Sequence, residues 1–281
     1  MKTRWRSLLF VPGDDPRRIG KAVTSGADAV IIDLEDAVPP ERKAMARTGI
    51  IDAVANARSA GCGLIVRINS RWSEIPSDLA TIANAGICAI MVPKVDDASR
   101  IAVIDQMWAE IGATPFPPLV ALIESPAGLA HIDAIAQMPA VFGLALGSED
   151  FSLALGVPPT PECLDLPCRQ IALAAARHDI MSFGMPISIT TIEDREAWAV
   201  AVGKARAIGL SGALCIHPVQ LEPVHHGFAP TDAEVQFAAG AIAAWESAGG
   251  RPTTFAGRMI DPPVVAAARR MLEACGRQPT L

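Results

Sequence analysis

The 281-residue sequence lacks long apolar runs and clusters of positive charge. Membrane-spanning helices need roughly 20 consecutive apolar residues, and no run approaches that length, so we expect a cytoplasmic protein without a membrane span. Lys and Arg number 24 against 30 Asp and Glu, a net charge of −6. This balance argues against a nucleic-acid partner or an anionic membrane surface, which both require clustered cations. An anionic substrate must therefore be bound by a few individually placed cations.

Two further motifs are missing. The six cysteines are scattered, and the one close pair, Cys163 and Cys168, has no second pair at the spacing of a zinc site. We therefore expect reduced cysteines that pack in the core. Residues 11–16 (VPGDDP), after the first apolar run, contain no Gly-x-Gly-x-x-Gly turn. The absence of this glycine-rich turn argues against an open dinucleotide-binding sheet.

Short apolar runs alternate with segments of helical periodicity along most of the chain. Hydrophobic residues make up 51% of the sequence and charged residues 19%, which is typical of a globular protein. Eight runs are predicted as strands, at residues 7–12, 29–35, 64–69, 89–95, 119–125, 142–147, 186–190 and 213–218. Helices are predicted at residues 17–25, 40–60, 97–111, 164–179, 192–207, 231–248 and 261–275. This alternation and the length predict an α/β protein with a TIM (β/α)8 barrel over residues 1–228 and a C-terminal helical extension or lid over residues 229–281.

Polar residues recur where the predicted strands end, which is where a TIM barrel places its catalytic groups. The strand ends carry Glu35 and Asp36, Arg67, Lys94, Glu124 and Ser125, Asp150, and His217. One such residue alone would more often cap a helix, but charges from five strand ends require a ligand or metal to balance them. Carboxylates with few sulfur or imidazole partners favour Mg²⁺ or Mn²⁺. Trp72 and Phe151 lie just past strand ends, where packing into the barrel wall is the favoured interpretation.

An ordered set of short motifs then resembles a known family. They are residues 6–13 (RSLLFVPG), 33–38 (DLEDAV), 67–69 (RIN), 93–94 (PK), 123–125 (IES), 147–151 (GSEDF) and 216–220 (IHPVQ). Together they resemble the citrate lyase β-subunit and malyl-CoA lyase family of HpcH/HpaI aldolase-like barrels, within the phosphoenolpyruvate–pyruvate superfamily. Each motif is weak alone, but the resemblance extends over nearly the whole chain.

The resemblance implies a role for each matching residue. Glu124 and Asp150 match the family's two Mg²⁺ ligands, and Arg67 matches the arginine that binds the keto-acid carboxylate. Glu35 and Asp36 match an acidic pair that supports this arginine and orders metal-bound water. Residues 257–263 (GRMIDPP) resemble a C-terminal element whose aspartate, here Asp261, transfers the proton across an oligomer interface. Asp261 equally suits an N-cap for the following helix.

These roles predict a carbon–carbon lyase that cleaves a 3-hydroxyacyl-CoA-type thioester into an α-keto acid and an acyl thioester. Glu124, Ser125, Arg67 and His217 are the expected substrate-binding residues, with packing an equal alternative for His217. The resemblance further implies a homo-oligomer, a trimer or hexamer. Open alternatives are a malyl-CoA-type thioesterase, a class II pyruvate aldolase, and a citrate lyase β-subunit that works on an acyl-carrier protein. CoA phosphates need cations, and the candidates are Arg6, Arg17, Arg18, Lys21, Lys43 and Lys94.

Overall fold

A computed structural model describes residues 5–83 and 85–274. The chain divides into two compact units, Met1–Phe228 and Ala229–Leu281, which are described separately. Cys275, the last residue of a predicted helix, lies outside the described residues. Among the described residues, no helix combines the length and hydropathy needed to cross a bilayer.

The first unit contains a parallel sheet that closes on itself. In the described part of the chain its eight strands follow the order β7-β6-β5-β4-β3-β2-β1-β8. The strands are β1 (Ser7–Pro12), β2 (Ala29–Asp33), β3 (Gly63–Arg67), β4 (Ala89–Val92), β5 (Leu119–Ile123), β6 (Val141–Leu146), β7 (Met181–Phe183) and β8 (Ala213–Cys215). Phe183 pairs with Gly212, directly before β8, and the Gly212 N–H donates to the Ser182 carbonyl at 3.2 Å. These contacts join β7 to β8, so the TIM-barrel prediction is confirmed.

Helices surround this barrel. They are α1 (Pro16–Val23), α2 (Lys43–Thr48), α3 (Ile50–Ala60), α4 (Ile75–Ile82), α5 (Ala98–Ile111), α6 (Pro126–Ala130), α7 (Ile132–Ala136), α8 (Ser148–Leu155), α9 (Pro161–Arg177), α10 (Arg195–Ala207) and α11 (Leu221–Phe228). The segment predicted as one helix at 40–60 is a 3-10 turn, Pro40–Arg42, followed by α2 and α3, which meet at Gly49. Glycine weakens a helix interior, and this explains the break.

The barrel strands bury both faces, which is why they read as nearly continuous apolar runs. Ile31 and Ile65 point into the barrel, and their chain neighbours Ile32 and Val66 pack outward beneath the helices. All four side chains are fully buried. Cys168 and Cys215 are also buried, as expected, whereas Cys88 is exposed.

The predicted seventh strand was misplaced. Residues 186–190 form a bend and a turn, and the strand is Met181–Phe183. Pro186 has no N–H to donate to a sheet, whereas buried Ser182 interrupts the apolar run that would have revealed β7. The Ser182 N–H donates a hydrogen bond to the Ser211 Oγ at 3.1 Å. Gly184 lies directly after this strand.

The second unit contains two helices and a hairpin. They are α12 (Asp232–Ser247), β9 (Thr253–Phe255), β10 (Arg258–Ile260) and α13 (Pro262–Ala274). Both helices were predicted, but the antiparallel hairpin lies within a segment predicted only as a connector. Its turn places Ala256 and Gly257 at φ values of 47° and 74°. A side chain at Gly240 would meet the Phe255 ring at 2.1 Å, so this glycine allows the hairpin to pack on α12. A role as a lid stays a prediction.

Candidate active site

A cavity of about 400 Å³ opens at the carboxyl ends of the barrel strands. Its polar lining includes Asp33, Asp36, Arg67, Glu124 and Asp150, and Phe10, Leu122 and Leu214 contribute apolar walls. A larger cavity, about 820 Å³, lies beside Trp5 and Asp28 at the amino ends of the strands. In TIM-barrel enzymes the amino-terminal face serves stability and the carboxyl-terminal face carries the chemistry. The smaller cavity is therefore the candidate active site.

Arg67 is held rigidly at the bottom of this cavity. It is the last residue of β3, and sheet register places it directly beside Asp33, the last residue of β2. Asp33 accepts two hydrogen bonds from Arg67, at 2.8 Å from Nε and 2.6 Å from Nη2. The guanidinium also lies 5.0 Å from the centre of the Phe10 ring. Burial alone would lower the pKa of Arg67, but the hydrogen bonds to Asp33 and the charges of the nearby carboxylates have the larger effect, and the pKa is raised. Arg67 is therefore a fixed cation.

The acidic pair after β2 divides between two environments. Glu35 is buried, and its Oε2 lies 3.2 Å from Nη1 of Arg67. Neither Glu35 oxygen makes a hydrogen bond of good geometry within the described residues. Burial raises the pKa of Glu35, and the charge of Arg67 partly offsets this. The Asp36 side chain is 55% exposed and lies 3.9 Å from the same nitrogen. Glu35 is thus the member of the pair that is desolvated beside Arg67.

Glu124 lies directly after β5 and is almost fully buried. Its Oε2 accepts a hydrogen bond from the Lys94 backbone N–H at 2.7 Å. Lys94 adopts a φ of 53°, which is uncommon for a residue with a side chain, and this turns its N–H toward Glu124. Burial, together with the negative charges of Glu35 and Asp150, raises the pKa of Glu124 to about 8. Asp150 lies in the first turn of α8, which begins after β6.

Glu124 and Asp150 fit a hard divalent cation. They are oxygen donors that line one cavity, and Asp150 makes no hydrogen bond or ion pair with any described residue. In the part of the chain that is described, no group of three His, Cys, Asp or Glu side chains could hold a metal. Two carboxylates suit Mg²⁺, which binds through one or two such groups and fills its remaining positions with water or substrate oxygens. Mn²⁺ prefers the same oxygen ligands.

Ser125 and His217 act locally as helix caps. The Ser125 Oγ accepts a hydrogen bond from the Gly128 N–H at 3.0 Å and donates one to Asp96. His217 is exposed, and its Nδ1 accepts a hydrogen bond from the Val219 N–H at 3.2 Å. The cavity is lined by Ile216, not by His217. A substrate contact of His217 stays a prediction.

Asp261 lies in the second unit, between β10 and α13. Its Oδ1 accepts a hydrogen bond from the Val264 N–H at 3.2 Å, and so it caps the N-terminus of α13. The alternation of side chains along β10 places buried Ile260 toward the second unit's core and Met259, 66% exposed, on the opposite face. The capping role expected of Asp261 is present.

Three parts of the site were missed by the sequence interpretation. Asp33 was read within a motif but was not assigned as the partner of Arg67. Gly147 packs so tightly on Glu124 that an added Cβ would lie 2.5 Å from the Glu124 Cγ. Glu149 accepts hydrogen bonds from Ser188 Oγ at 2.8 Å and from the Ile189 N–H at 3.1 Å, which holds the loop after β7 against α8. Asp33 alone carried a sequence signal, because it ends an apolar strand.

The candidate cations for CoA separate by location. Arg6 pairs with Asp28 at 3.1 Å, beside the cavity at the amino ends of the strands. Lys43 donates to the carbonyl oxygens of Leu34 and Glu35 and to Asn69, so its charge is used inside the loop after β2. The Lys94 side chain is 44% exposed, and its Nζ lies 3.7 Å from Glu35. Of these three, only Lys94 presents its ammonium group at the mouth of the candidate site.

Comparison with known proteins shows the family. The chain is 35% identical to a citrate lyase subunit beta-like protein of Deinococcus radiodurans over 95% of this chain and 96% of that one. It is 31% identical to a (3S)-malyl-CoA thioesterase of Cereibacter sphaeroides over 87% and 84% of the two chains. The structure of CitE from Mycobacterium tuberculosis, in complex with magnesium, acetoacetate and coenzyme A, matches with a TM-score of 0.79, 26% identity and coverage of 99% and 100%. Residues 6–218 match the HpcH/HpaI aldolase/citrate lyase family, to which the chain therefore belongs.

Proposed function

We propose that this protein is a Mg²⁺-dependent carbon–carbon lyase that acts on a 3-hydroxyacyl-CoA-type thioester such as citryl-, malyl- or citramalyl-CoA. The observation that carries the proposal is the meeting of a clamped arginine, Arg67, with Glu124 and Asp150 in one cavity at the carboxyl ends of the strands. The related structure that contains magnesium, acetoacetate and coenzyme A supports this choice of ligands. The products are an α-keto acid and an acyl thioester.

Glu124 and Asp150 are the residues that hold the cation. When bound, Mg²⁺ supplies Lewis-acid stabilisation of negative charge on a substrate oxygen. The Lys94 N–H fixes the orientation of the Glu124 carboxylate, and tight contact with Gly147 prevents the Glu124 stem from moving. The protein therefore sets the position of this ligand before substrate arrives.

Arg67 binds the carboxylate on the hydroxyl-bearing carbon of the substrate. Nε and Nη2 are already occupied by Asp33, so Nη1 is the nitrogen that faces Glu35 and the cavity. A guanidinium fixed in this way loses little conformational entropy when it binds an anion. Glu35 and Asp36 support Arg67 from the same side and order water at the site.

Cleavage breaks the bond between the hydroxyl-bearing carbon and the carbon next to the thioester. The hydroxyl proton passes to a water molecule, the electron pair of that bond moves to the thioester fragment, which becomes an enolate, and the hydroxyl oxygen becomes the carbonyl oxygen of the α-keto acid. Asp261 then donates a proton to the enolate carbon. We assign this residue to a second copy of the chain in a homo-oligomer, by analogy with the C-terminal element of the family. Its capping bond to Val264 uses Oδ1 and leaves Oδ2 for this proton transfer.

A thioesterase is the second candidate, because a relative of similar identity carries that name. The two activities differ in their products: a lyase releases an α-keto acid, whereas a thioesterase releases a hydroxydiacid with an intact carbon skeleton. A class II pyruvate aldolase would need no CoA. A non-autonomous β-subunit would need its substrate on an acyl-carrier protein.

The test is an assay of purified protein with malyl-CoA, citramalyl-CoA and citryl-CoA. Each is incubated with Mg²⁺ and then with excess EDTA, and the products are identified by mass. Metal-dependent release of glyoxylate, pyruvate or oxaloacetate is the expected result and names the substrate. Free hydroxydiacid would replace the lyase with a thioesterase. Inactivity on all three thioesters would reject a stand-alone CoA lyase.

A further inference from the structure

The inner end of the candidate active site is apolar. Phe10 on β1, Leu122 on β5 and Leu214 on β8 line the cavity and also belong to the apolar cluster of the barrel interior. We call these three side chains the floor. Leu122 and Leu214 are 2% and 4% exposed. Because the Arg67 guanidinium lies 5.0 Å from the centre of the Phe10 ring, the floor begins directly beside the cation.

A fourth apolar side chain is fixed at the edge of the floor. Ile189, in the loop after β7, lines the cavity and packs against the same interior cluster. Its N–H donates to Glu149 at 3.1 Å, and its carbonyl accepts a hydrogen bond from Nε2 of buried Gln220 at 2.9 Å. Trp72, which was expected to pack into the barrel wall, is 47% exposed and lies outside this lining. The apolar surface is therefore formed before substrate binds.

Positive charge is scarce at the floor. Among the described residues that line the cavity, Arg67 is the one cationic side chain, and two of its nitrogens already bind Asp33. Lys94 and Arg100 lie outside this lining. The Lys94 Nζ is 3.7 Å from Glu35, and Arg100 donates to a backbone carbonyl at 2.7 Å. The lining therefore offers a cationic partner to one substrate carboxylate.

The hydroxyl-bearing carbon of the proposed substrates carries four groups. In the proposed complex its carboxylate lies at Arg67, and its hydroxyl lies toward Glu124 and Asp150. The carbon that leads to the thioester must point out of the cavity, because a space of about 400 Å³ cannot also enclose CoA. The fourth group then points inward, onto the floor. It is hydrogen in malyl-CoA, methyl in citramalyl-CoA and carboxymethyl in citryl-CoA.

An apolar floor without a cation discriminates between these three groups. Burial of a methyl group strengthens binding by about fourfold. A carboxylate on the floor would lose its water and gain no cation, which weakens binding by at least about thirtyfold. We propose that Phe10, Leu122 and Leu214 select a substrate whose fourth group is methyl, so that the keto acid released is pyruvate. This inference rests on the proposed function and deepens it, because it ranks citramalyl-CoA above malyl-CoA and excludes citryl-CoA.

The first measurement compares kcat/KM of the wild-type protein in Mg²⁺ for the three thioesters. We expect citramalyl-CoA to exceed malyl-CoA by about fourfold, and malyl-CoA to exceed citryl-CoA by at least about thirtyfold. A highest kcat/KM with malyl-CoA or citryl-CoA would overturn the selectivity of the floor and leave the lyase intact.

The second measurement is calorimetry on full-length protein in Mg²⁺, with pyruvate and freshly dissolved oxaloacetate as separate probes. Wild-type protein should bind pyruvate at least about thirtyfold more tightly. Leu122→Gln places an amide donor on the floor, and a hydrogen bond to a carboxylate should shift this ratio about tenfold toward oxaloacetate. The matched control is Leu173→Gln, the same substitution at a side chain 65% exposed on α9, which should leave the ratio unchanged.

The binding ratio is independent of turnover. Protein that binds pyruvate as expected but cleaves no thioester would reject the lyase and retain the selectivity of the floor. Oxaloacetate bound as tightly as pyruvate by wild-type protein, binding of neither keto acid, or an unchanged ratio in Leu122→Gln would overturn it. If Leu122→Gln does not fold, Leu214→Gln measures the same ratio, and the wild-type ratio decides if neither variant folds.

Discussion

Gly147→Ala is a small substitution that should disable the metal site while the barrel stays folded. Gly147 has a φ of −84°, a value that alanine adopts freely, so backbone strain is not the cause. The added Cβ would instead lie 2.5 Å from Cγ and 3.0 Å from Oε1 of Glu124. Carbon atoms in contact need about 3.5 Å, so one of the two residues must move.

The side chain of Glu124 is the group that can yield. The Gly147 backbone is held by a 3.0 Å hydrogen bond from its N–H to the Ile123 carbonyl and by the Phe151 N–H at its own carbonyl. Movement of Glu124 breaks its 2.7 Å bond with the Lys94 N–H and displaces the carboxylate from its place beside Asp150. Disturbing the support of a metal ligand typically lowers metal affinity by about 10- to 100-fold. Overpacking costs about 1–3 kcal/mol, which corresponds to a fall of about 2–12 °C in melting temperature for a chain of this size.

The assay is a titration of turnover with Mg²⁺, combined with thermal unfolding of the same samples. Gly203→Ala is the matched control, since this glycine lies inside α10 and an added Cβ meets nothing within 4 Å. That control should raise stability by about 0.5–1 kcal/mol and leave the Mg²⁺ requirement as in wild type. A Gly147→Ala protein with wild-type Mg²⁺ affinity would refute the assignment of Glu124 as a ligand held in place by this contact.

Five further substitutions test other parts of the structure. Glu124→Gln and Asp150→Asn should each lower Mg²⁺-dependent turnover at least about a hundredfold with an unchanged circular dichroism spectrum; full activity in either variant would remove it from the metal site. Asp261→Asn keeps a good N-cap, so it should fold and bind Mg²⁺ but lose turnover, and normal turnover would leave Asp261 only as a cap. Asp33→Asn removes the negative charge that pairs with the buried Arg67 guanidinium, and it should lower the free energy of unfolding by roughly 3–5 kcal/mol, measured as a lower melting temperature. The control is Asp165→Asn, which breaks an exposed ion pair with Arg169 and should change the free energy of unfolding by about 0.5 kcal/mol at most. Burial lowers the pKa of His225, so as the pH falls the unfolded chain binds this proton before the folded chain does. The contribution of His225 to the free energy of unfolding is therefore complete above pH 6.5 and declines as the pH falls toward the lowered pKa. His225→Gln should make the melting temperature depend less on pH in that range.

Most of the barrel and much of the candidate site could be predicted because both depend on local pattern. Buried parallel strands read as apolar runs, and polar residues at the ends of those runs are brought together by the topology of a barrel. Arg67, Glu124 and Asp150 were placed at one cavity on this basis, and the structure confirms that they line it. The substrate that they bind is a separate question, which the shared motifs leave open.

The parts that were missed depend on contacts between distant segments. The pairing of Asp33 with Arg67 follows from the register of β2 against β3, and strands that are buried on both faces lack the alternating pattern that would indicate their register. The stacking of Arg100 on Trp72 joins two loops in the same way. The prediction of the seventh strand was wrong for a different reason. Its three residues include buried Ser182, whose polar groups form hydrogen bonds with Ser211, so the segment has too little apolar character to be recognised as a strand.

The balance of charge in the cavity argues for a dication independently of any family. Asp33 and Arg67 neutralise one another at hydrogen-bonding distance. Glu35, Asp36, Glu124 and Asp150 then face Lys94 and Arg100, which leaves an excess of two negative charges when all six are ionised. Buried carboxylates avoid such an excess by binding a proton or a cation, and burial beside the other carboxylates accordingly raises the pKa of Glu124 to about 8. A divalent cation on Glu124 and Asp150 matches the excess in sign and size, whereas a monovalent ion would leave one charge unbalanced in a desolvated site. Replacing either Glu124 or Asp150 by a neutral residue would remove one of these negative charges and so change what the cavity binds.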